Sequence, residues 1–451
     1  MNLSLQDPFA VAKEYPETLT HKLQYGHSVV IQFNHKGDYL ASGLSDGSVI
    51  IYDLTCNAGV ITILQHQGHV RPICSISWSK CGRYLLTASQ DWSCKLWDLN
   101  KVNRQEEEEF EDPPVIRSIK FDGPIWSATL HPENHFLFTA SLFDDDPVLV
   151  DMSTKAIQIH KLSTIPLQLQ HQDESTSADG AKELKSVKKS DKQMTLVTTF
   201  SPNNGAYIFA GTSKGWLNII STETRRTVHS IHIANSNIKN LVISPNGRKL
   251  AINSSDRIIR QVSLPDLINI SDPSEWDFEV EHKYQDVVNR LQWNSVAFNH
   301  NAEFLIASTF GQSSQDIYMW ETSLGSLIKI LEGSSEELID VKWNSHRCTI
   351  GSTGLDSGTI YLWSIQFPQK WSALAPDFVE IEENIEYEEK EDEFDIIDEV
   401  ALNRKRLEEE DAIVDITTTE TVDARGFDTT MDSFIIPINY ELPLTFIDKI
   451  T

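Results

Sequence analysis

One block of the chain restricts what it can fold into more than any other. Residues 68–98 read GHVRPICSISWSKCGRYLLTASQDWSCKLWD. They comprise Gly68-His69, a short apolar run, a polar turn holding Gly82, a second run, Asp91, and a third run ending at Trp97-Asp98. Apolar alternation over such short stretches, bounded by Gly, Ser and Asp, argues strands. Three or four strands of this length cannot bury a core alone, but copies stacked side by side can.

Weaker copies of the block run along the chain. One goes from Gly26-His27 through VVIQF and YLASG to IIYD, and another from Gly123 through SATLHP and FLFTAS to VLVD. The others are TLVTTFSPNNGAYIFAGTSKGWLNII, NLVISPNGRKLAINSSDRIIRQV, NRLQWNSVAFN with FLIAS and DIYMW, and LIDVKWN with TIGSTGLDSGTIYLW. Taking Phe33, Trp78, Leu130, Phe200, Ile243, Trp293 and Trp343 as the ends of the seven first strands gives intervals of 45, 52, 70, 43, 50 and 50 residues. Such spacing fits four-stranded blades with loop insertions. The block resembles a WD repeat, and seven copies predict an all-β, seven-bladed β-propeller over residues 1–370, whose ring closure removes most exposed sheet edges. Too few residues follow Trp363 for a further outer strand, so the N-terminal residues Thr18–Leu23 are expected to supply it. The longest interval points to a surface insertion at about 165–193, polar and turn-rich.

Within the best block, His69, Ser89, Asp91 and Trp97 are expected to close a buried hydrogen-bonded tetrad. Such a network is favourable only when every member is satisfied, so its role is architectural.

Charge is distributed unevenly. The whole chain carries −28, and residues 371–451 hold 24 acids against 6 bases. Residues 377–399 alone contain thirteen Asp or Glu and one Lys. A run like this is ordinarily a solvated tail. Here, however, Trp371, Leu374, Phe378, Ile381, Ile385, Tyr387, Phe394, Ile396 and Ile397 are spread through the acid. They read as anchors for a partner surface, within a segment 371–400 distinct from a further tail 401–451. Ala412 to Ile416 is a short β-branched stretch suited to docking on a partner's edge. The apolar end FIIPINYELPLTFIDKI is expected to dock on this propeller or on a neighbour. The acidic balance opposes general nucleic-acid binding, since the backbone of DNA rewards clustered Lys and Arg. Locally, Lys188 and Lys189 in the insertion, and Arg257, Arg260 and Arg290, either brace loops or contact phosphate.

The sequence lacks the motifs of catalysis: GxSxG, a P-loop, HExxH and a Gly-rich dinucleotide turn. No enzyme activity, cofactor, metal or small-molecule ligand is expected. The five cysteines contain no CxxC pair and read as reduced thiols. Asp144, Asp145 and Asp146 read as a solvated blade turn rather than a metal site. No stretch approaches the ~20 apolar residues of a membrane helix, and no signal peptide is expected at the N-terminus.

The segment WSALAPDFVEIEENIEYEEKEDEFDIIDE, the DRIIR of the fifth copy, the VVNR before the sixth and the downstream IVDI together resemble the retinoblastoma-binding protein five family. This is the WD-repeat core subunit of COMPASS (MLL-type) histone H3 lysine-4 methyltransferases, here in its fungal form. The resemblance implies a nuclear, non-catalytic scaffold. It implies that Ala375, Pro376, Asp377, Phe378, Ile381, Asn384 and Ile385 stabilise the active form of a SET-domain methyltransferase subunit. Glu386, Tyr387, Glu388, Glu389, Glu391, Phe394, Asp395 and Asp398 would enter a basic pocket of an Ash-two-type SPRY subunit. Ile413, Val414, Asp415 and Ile416 would bind a second WD-repeat propeller. The nucleosome would be a further partner, through Arg257, Arg260, Arg290, Lys188 and Lys189. The residues alone also admit an acidic-tailed histone chaperone, a general chromatin scaffold, or an unrecognised enzyme.

Overall fold

A computed structural model describes residues 15–365, apart from the stretch 169–192 and short loop segments, together with a few positions between 400 and 407 and residues 434–437. The described strands form seven four-stranded antiparallel sheets. In six of them the strands follow one another from the innermost outward, as in blade 2 with Ile73–Trp78, Tyr84–Ser89, Ser93–Asp98 and Val115–Lys120. The chain folds as a seven-bladed β-propeller.

Closure is by the N-terminus. Thr18–Leu23 pairs antiparallel with Ile360–Ser364 and completes the sheet whose other strands are Leu338–Trp343 and Thr349–Gly354. The threonines add side-chain bonds to the ladder: Thr18 donates to the Ser364 carbonyl at 3.2 Å and Thr20 to that of Leu362 at 3.1 Å.

First strands end at Phe33, Trp78, Leu130, Phe200, Ile243 and Trp343, as the repeat spacing predicts. Blade 6 differs. Its first strand is Gln292–Phe298, so Trp293 stands near its start and Phe298 at its end. Both aromatics are buried, so the apolar pattern alone does not show which of them ends the strand. The indole of Trp293 instead reaches back to the Arg257 carbonyl at 3.1 Å, linking blades 5 and 6.

The core lies between blades. Small residues at the centre of second strands, such as Ala41, Ala88, Ala140 and Ala210, are fully buried and let neighbouring sheets approach. Polar side chains stitch the innermost strands around the central channel. Asn294 donates to the Leu338 carbonyl at 2.9 Å, Ser75 to that of Ala128 at 2.9 Å, and Asp340 accepts from the Ile31 amide at 3.2 Å and the Ser295 hydroxyl at 2.9 Å. These polar groups are met across a blade boundary, as buried polar groups generally require.

Residues 434–437, at the start of the apolar end, pack on this ring. Ile436 is 1% exposed, packed with Tyr39, Leu64, Leu85, Leu99 and Val102 between blades 1 and 2, and Phe434 lies against the same cluster. Gly82, in a turn of blade 2, has a positive φ of 76° and the Phe434 side chain 3.7 Å from where a Cβ would stand.

Candidate functional site

Because the strands alternate in direction along each sheet, the described turns after second strands and the described links between blades open on one face of the ring. Blade 2 shows how that face is held. The Trp97 indole can only donate, and it does so to the Thr87 hydroxyl at 2.9 Å. Thr87 therefore turns its own proton to His69 Nε2, 2.8 Å away. This leaves the ring proton on Nδ1, which donates to Asp91 at 2.9 Å. Burial alone would raise the pKa of Asp91, but hydrogen bonds from His69 and Ser93 hold its carboxyl well below the usual carboxylate range.

The tetrad is thus His69, Thr87, Asp91 and Trp97, not the set with Ser89. Residues 87 and 89 share one face of the strand, so the alternation pattern does not separate them. Ser89 donates to the carbonyls of Arg71 and Pro72 at 2.9 and 3.0 Å and caps the Asp91 amide. It binds the linker backbone rather than the indole.

Other blades fill the same place with different chemistry. In blade 7 the buried Glu336 accepts from the amides of Asp356 and Ser357 at 2.7 Å, from the Ser357 hydroxyl, and from Tyr361 at 2.8 Å. Burial pushes its pKa up, yet these donors bring it below the usual value. In blade 5 the network is built on a guanidinium. Arg260, 9% exposed, donates to Ser254 at 2.7 Å and to Asp256 at 2.5 Å. Asp256 is lowered in the same way: burial opposes, and Arg260 and Ser254 prevail.

That arrangement separates the three arginines singled out in the sequence. Arg260 braces its own blade. Arg257 and Arg290 are both exposed on the open face. Both have left-handed backbones, with φ of 71° and 49°. The carbonyl of Arg257 is held by Trp293. Arg290 is set by the turn of Asp286, whose backbone carbonyl accepts the Arg290 amide at 3.1 Å and whose carboxylate accepts the Val288 and Asn289 amides. Lys239, at the start of the first strand of blade 5, sits over the Phe310 ring at 5.7 Å on the same face. It adds a cation that no motif in the sequence marked. Exposed cations held on rigid turns can meet phosphates with little ordering cost.

At the turn position of Arg257, blades 1, 4 and 7 carry Gly47, Gly215 and Gly358, with φ of 94°, 78° and 67°. A Cβ there would collide with backbone at 2.3, 1.8 and 2.5 Å. Blade 2 carries Trp92 at this position, with φ of 68°. A side chain in this conformation costs about 1–2 kcal/mol, so arginine and tryptophan stand here against backbone preference.

Among the described residues, no group of three or more His, Cys, Asp or Glu could hold a metal, and no helix is long and apolar enough to cross a membrane. Asp145 pairs with Lys161 at 2.5 Å and Asp146 accepts from Thr164 at 3.2 Å. Cys74, Cys81, Cys94 and Cys348 are free thiols; burial pushes the pKa of Cys74 up to about 11. The sites expected at residues 375–398 and 413–416, and at Lys188 and Lys189, lie outside the described residues.

The family model for the WD domain, G-beta repeat, matches residues 17–53 and 61–98, each an outer strand followed by the first three strands of the next blade, namely the closing strand with blade 1 and the outer strand of blade 1 with blade 2. The chain is 42% identical over 448 residues to the COMPASS component SWD1 of Saccharomyces cerevisiae, covering 98% of each chain. It is 45% identical over 405 residues to the Set1 complex component swd1 of Schizosaccharomyces pombe, covering 90% of this chain and 92% of that one. It is 31% identical to the retinoblastoma-binding protein 5 homolog of Drosophila melanogaster, covering 94% of this chain and 78% of the relative. Among solved structures, the β-propeller domain of Cps50 (Swd1) from Myceliophteria thermophila superposes with a TM-score of 0.66 at 39% identity, covering 77% of this chain and all of that one. With two fungal Swd1 proteins matched along nearly their whole length, the chain belongs to the Swd1/retinoblastoma-binding protein 5 family of WD-repeat proteins.

Proposed function

We propose that this protein is a non-catalytic scaffold and activating subunit of a COMPASS-type histone H3 lysine-4 methyltransferase, working in the nucleus. One observation carries the reading. The likeness to a COMPASS component spans 98% of the chain, and so is not confined to the ring. The acidic, anchor-bearing segment therefore belongs with the ring as one functional unit.

In this reading the tail acts and the ring presents it. Ala375–Ile385 stabilises the closed SET domain, with Phe378, Ile381 and Ile385 as apolar contacts. Glu386–Asp398 enters a basic pocket of a SPRY subunit, and Ile413–Ile416 binds a second propeller. Ordering such a segment costs about 2–5 kcal/mol, so no single weak contact would hold it. Several linked contacts raise effective concentration and make the assembly tight. Activation is then a population shift toward a SET conformation that alone offers the contacts. Arg257 and Arg290, with Lys239 beside them, supply a phosphate-facing patch for nucleosomal DNA.

The test is methylation by the reconstituted complex. Phe378→Ala or Tyr387→Ala should lower activity while circular dichroism shows an intact propeller, and unchanged activity with both would refute the activating role. A histone chaperone, the other reading of an acidic tail, should tolerate scrambling of residues 377–399 at constant composition. A subunit anchored by named aromatics should not.

A further inference from the structure

The turns that lead into the third strands have a carbonyl to satisfy, and most blades satisfy it with backbone. In blades 2, 3 and 4 the donor is the amide that directly follows the outer strand. Phe121 donates to the Trp92 carbonyl at 2.8 Å, Leu162 to that of Pro147 at 2.8 Å, and Ile233 to that of Gly215 at 3.0 Å. In blade 7 the Ser28 amide, at the entry to blade 1, donates to the Gly358 carbonyl at 3.1 Å.

Blade 5 solves the problem differently. Beyond its outer strand, Val280–Tyr284, the chain enters the turn of Asp286, which carries Arg290. That turn is held by its own residues. The Asp286 carboxylate accepts the amides of Val288 and Asn289 at 2.9 and 3.0 Å, and the Asn289 side chain at 3.0 Å. The Arg257 carbonyl is met by a side chain of the next blade, the Trp293 indole, at 3.1 Å. Trp293 is itself fixed. It is 1% exposed, the rings of Tyr318 and Trp320 stand edge-on to it at 5.3 and 5.1 Å, and Asn253 donates to its carbonyl at 3.1 Å. An indole N–H can only donate, and this one is committed to Arg257. Arg257 needs the support, because its left-handed backbone, with φ of 71°, is one that a side chain disfavours.

We propose that Trp293 is a positioning residue for Arg257: its indole stands in for the linker amide of other blades and fixes the turn that presents the guanidinium to a nucleic-acid phosphate. Arg290, held by Asp286, does not depend on it. The inference rests on the phosphate-facing patch proposed above and adds to it that the two arginines are held by separate devices.

The test is the anisotropy of a fluorescein-labelled DNA duplex titrated with the full chain. Trp293→Phe keeps an aromatic ring and removes the donor. It should weaken binding about two- to tenfold, the worth of one hydrogen bond, while the salt slope stays unchanged because both guanidiniums remain. In an Arg257→Ala background the same change should have no further effect. In an Arg290→Ala background it should have its full effect, since coupled pairs depart from additivity and independent ones do not. An equal loss in both backgrounds would make Trp293 a general support of the fold, and no loss in the otherwise native chain would leave it without a role; either result overturns the proposal. Weakening by Arg257→Ala and Arg290→Ala but not by Trp293→Phe would sink this inference alone, whereas binding unmoved by both arginine changes would sink the patch as well. Nuclear magnetic resonance reads the contact with Trp293 intact: one slowly exchanging indole N–H should shift when the duplex is added to the native chain and stay in place in Arg257→Ala. Absence of such a signal counts against the proposal even if Trp293→Phe folds poorly.

Discussion

Leu19 lies directly opposite Trp363 in the closing blade, although 344 positions separate them in the chain. Through this pairing the edge of Ile360–Ser364 is covered and the last sheet gains its fourth strand. Leu19 packs against the cluster that includes Trp363, Tyr361 and Leu331.

Closure predicts a cooperative loss. Replacing Leu19 by Asp places a charge against a buried indole and should destabilise the propeller by about 2–3 kcal/mol. Deleting residues 1–24 should do more, because it exposes the ladder of Ile360–Ser364. Urea unfolding measures both, and a midpoint unaffected by the deletion would contradict the closure.

The proton order in blade 2 gives a second expectation. Thr87→Val preserves shape but strands the Trp97 donor and the His69 acceptor. It should cost about 2 kcal/mol. Adding His69→Leu should cost less than the sum of the two single changes, since both act on one network.

Stability should fall in acid. Asp91, Asp256 and Glu336 all have folded pKa values below their ordinary ones, because donors outweigh burial. A carboxyl lowered on folding contributes stability that is fully present above the unfolded value, near pH 4, and is lost as pH falls through the folded value. Denaturation midpoints should therefore hold steady to about pH 5 and drop below it. A flat profile down to about pH 2 would show that these networks are not coupled to folding.

The arginines should part company. Arg257→Glu and Arg290→Glu should weaken binding to duplex DNA and reduce the salt dependence by about one unit of log–log slope per lost phosphate contact, with the thermal midpoint unchanged. Arg260→Leu should lower the midpoint by removing the guanidinium that donates to Asp256 and Ser254, with little direct effect on the salt slope. The reverse pattern would mean that Arg260 is the contact.

Ile436→Asp should free the returning end of the chain. The cluster of Tyr39, Leu64 and Leu99 would lose its apolar cover, and hydrogen exchange should rise in the strands of blades 1 and 2. Exchange unchanged from the wild type would rule out this docking.

Much of this architecture was legible in the amino-acid order. Blade number, the closing strand and the place of the tetrad follow from local alternation and turn residues, which act over a few positions at a time. The resemblance carried by the acidic segment already pointed to the family. Alternation could not separate Thr87 from Ser89, nor Trp293 from Phe298, because in each case both residues are buried in one strand and only the cross-blade neighbour distinguishes them. Arg257 and Arg260 are likewise indistinguishable in SSDRIIR; a three-residue step along the chain turned one guanidinium to solvent and the other onto Asp256. Folding alone brought Lys239 beside Phe310 and seated Ile436 between blades 1 and 2. These are contacts between segments far apart in sequence, set by the curvature of the ring and the packing of neighbouring sheets, and no local pattern encodes them.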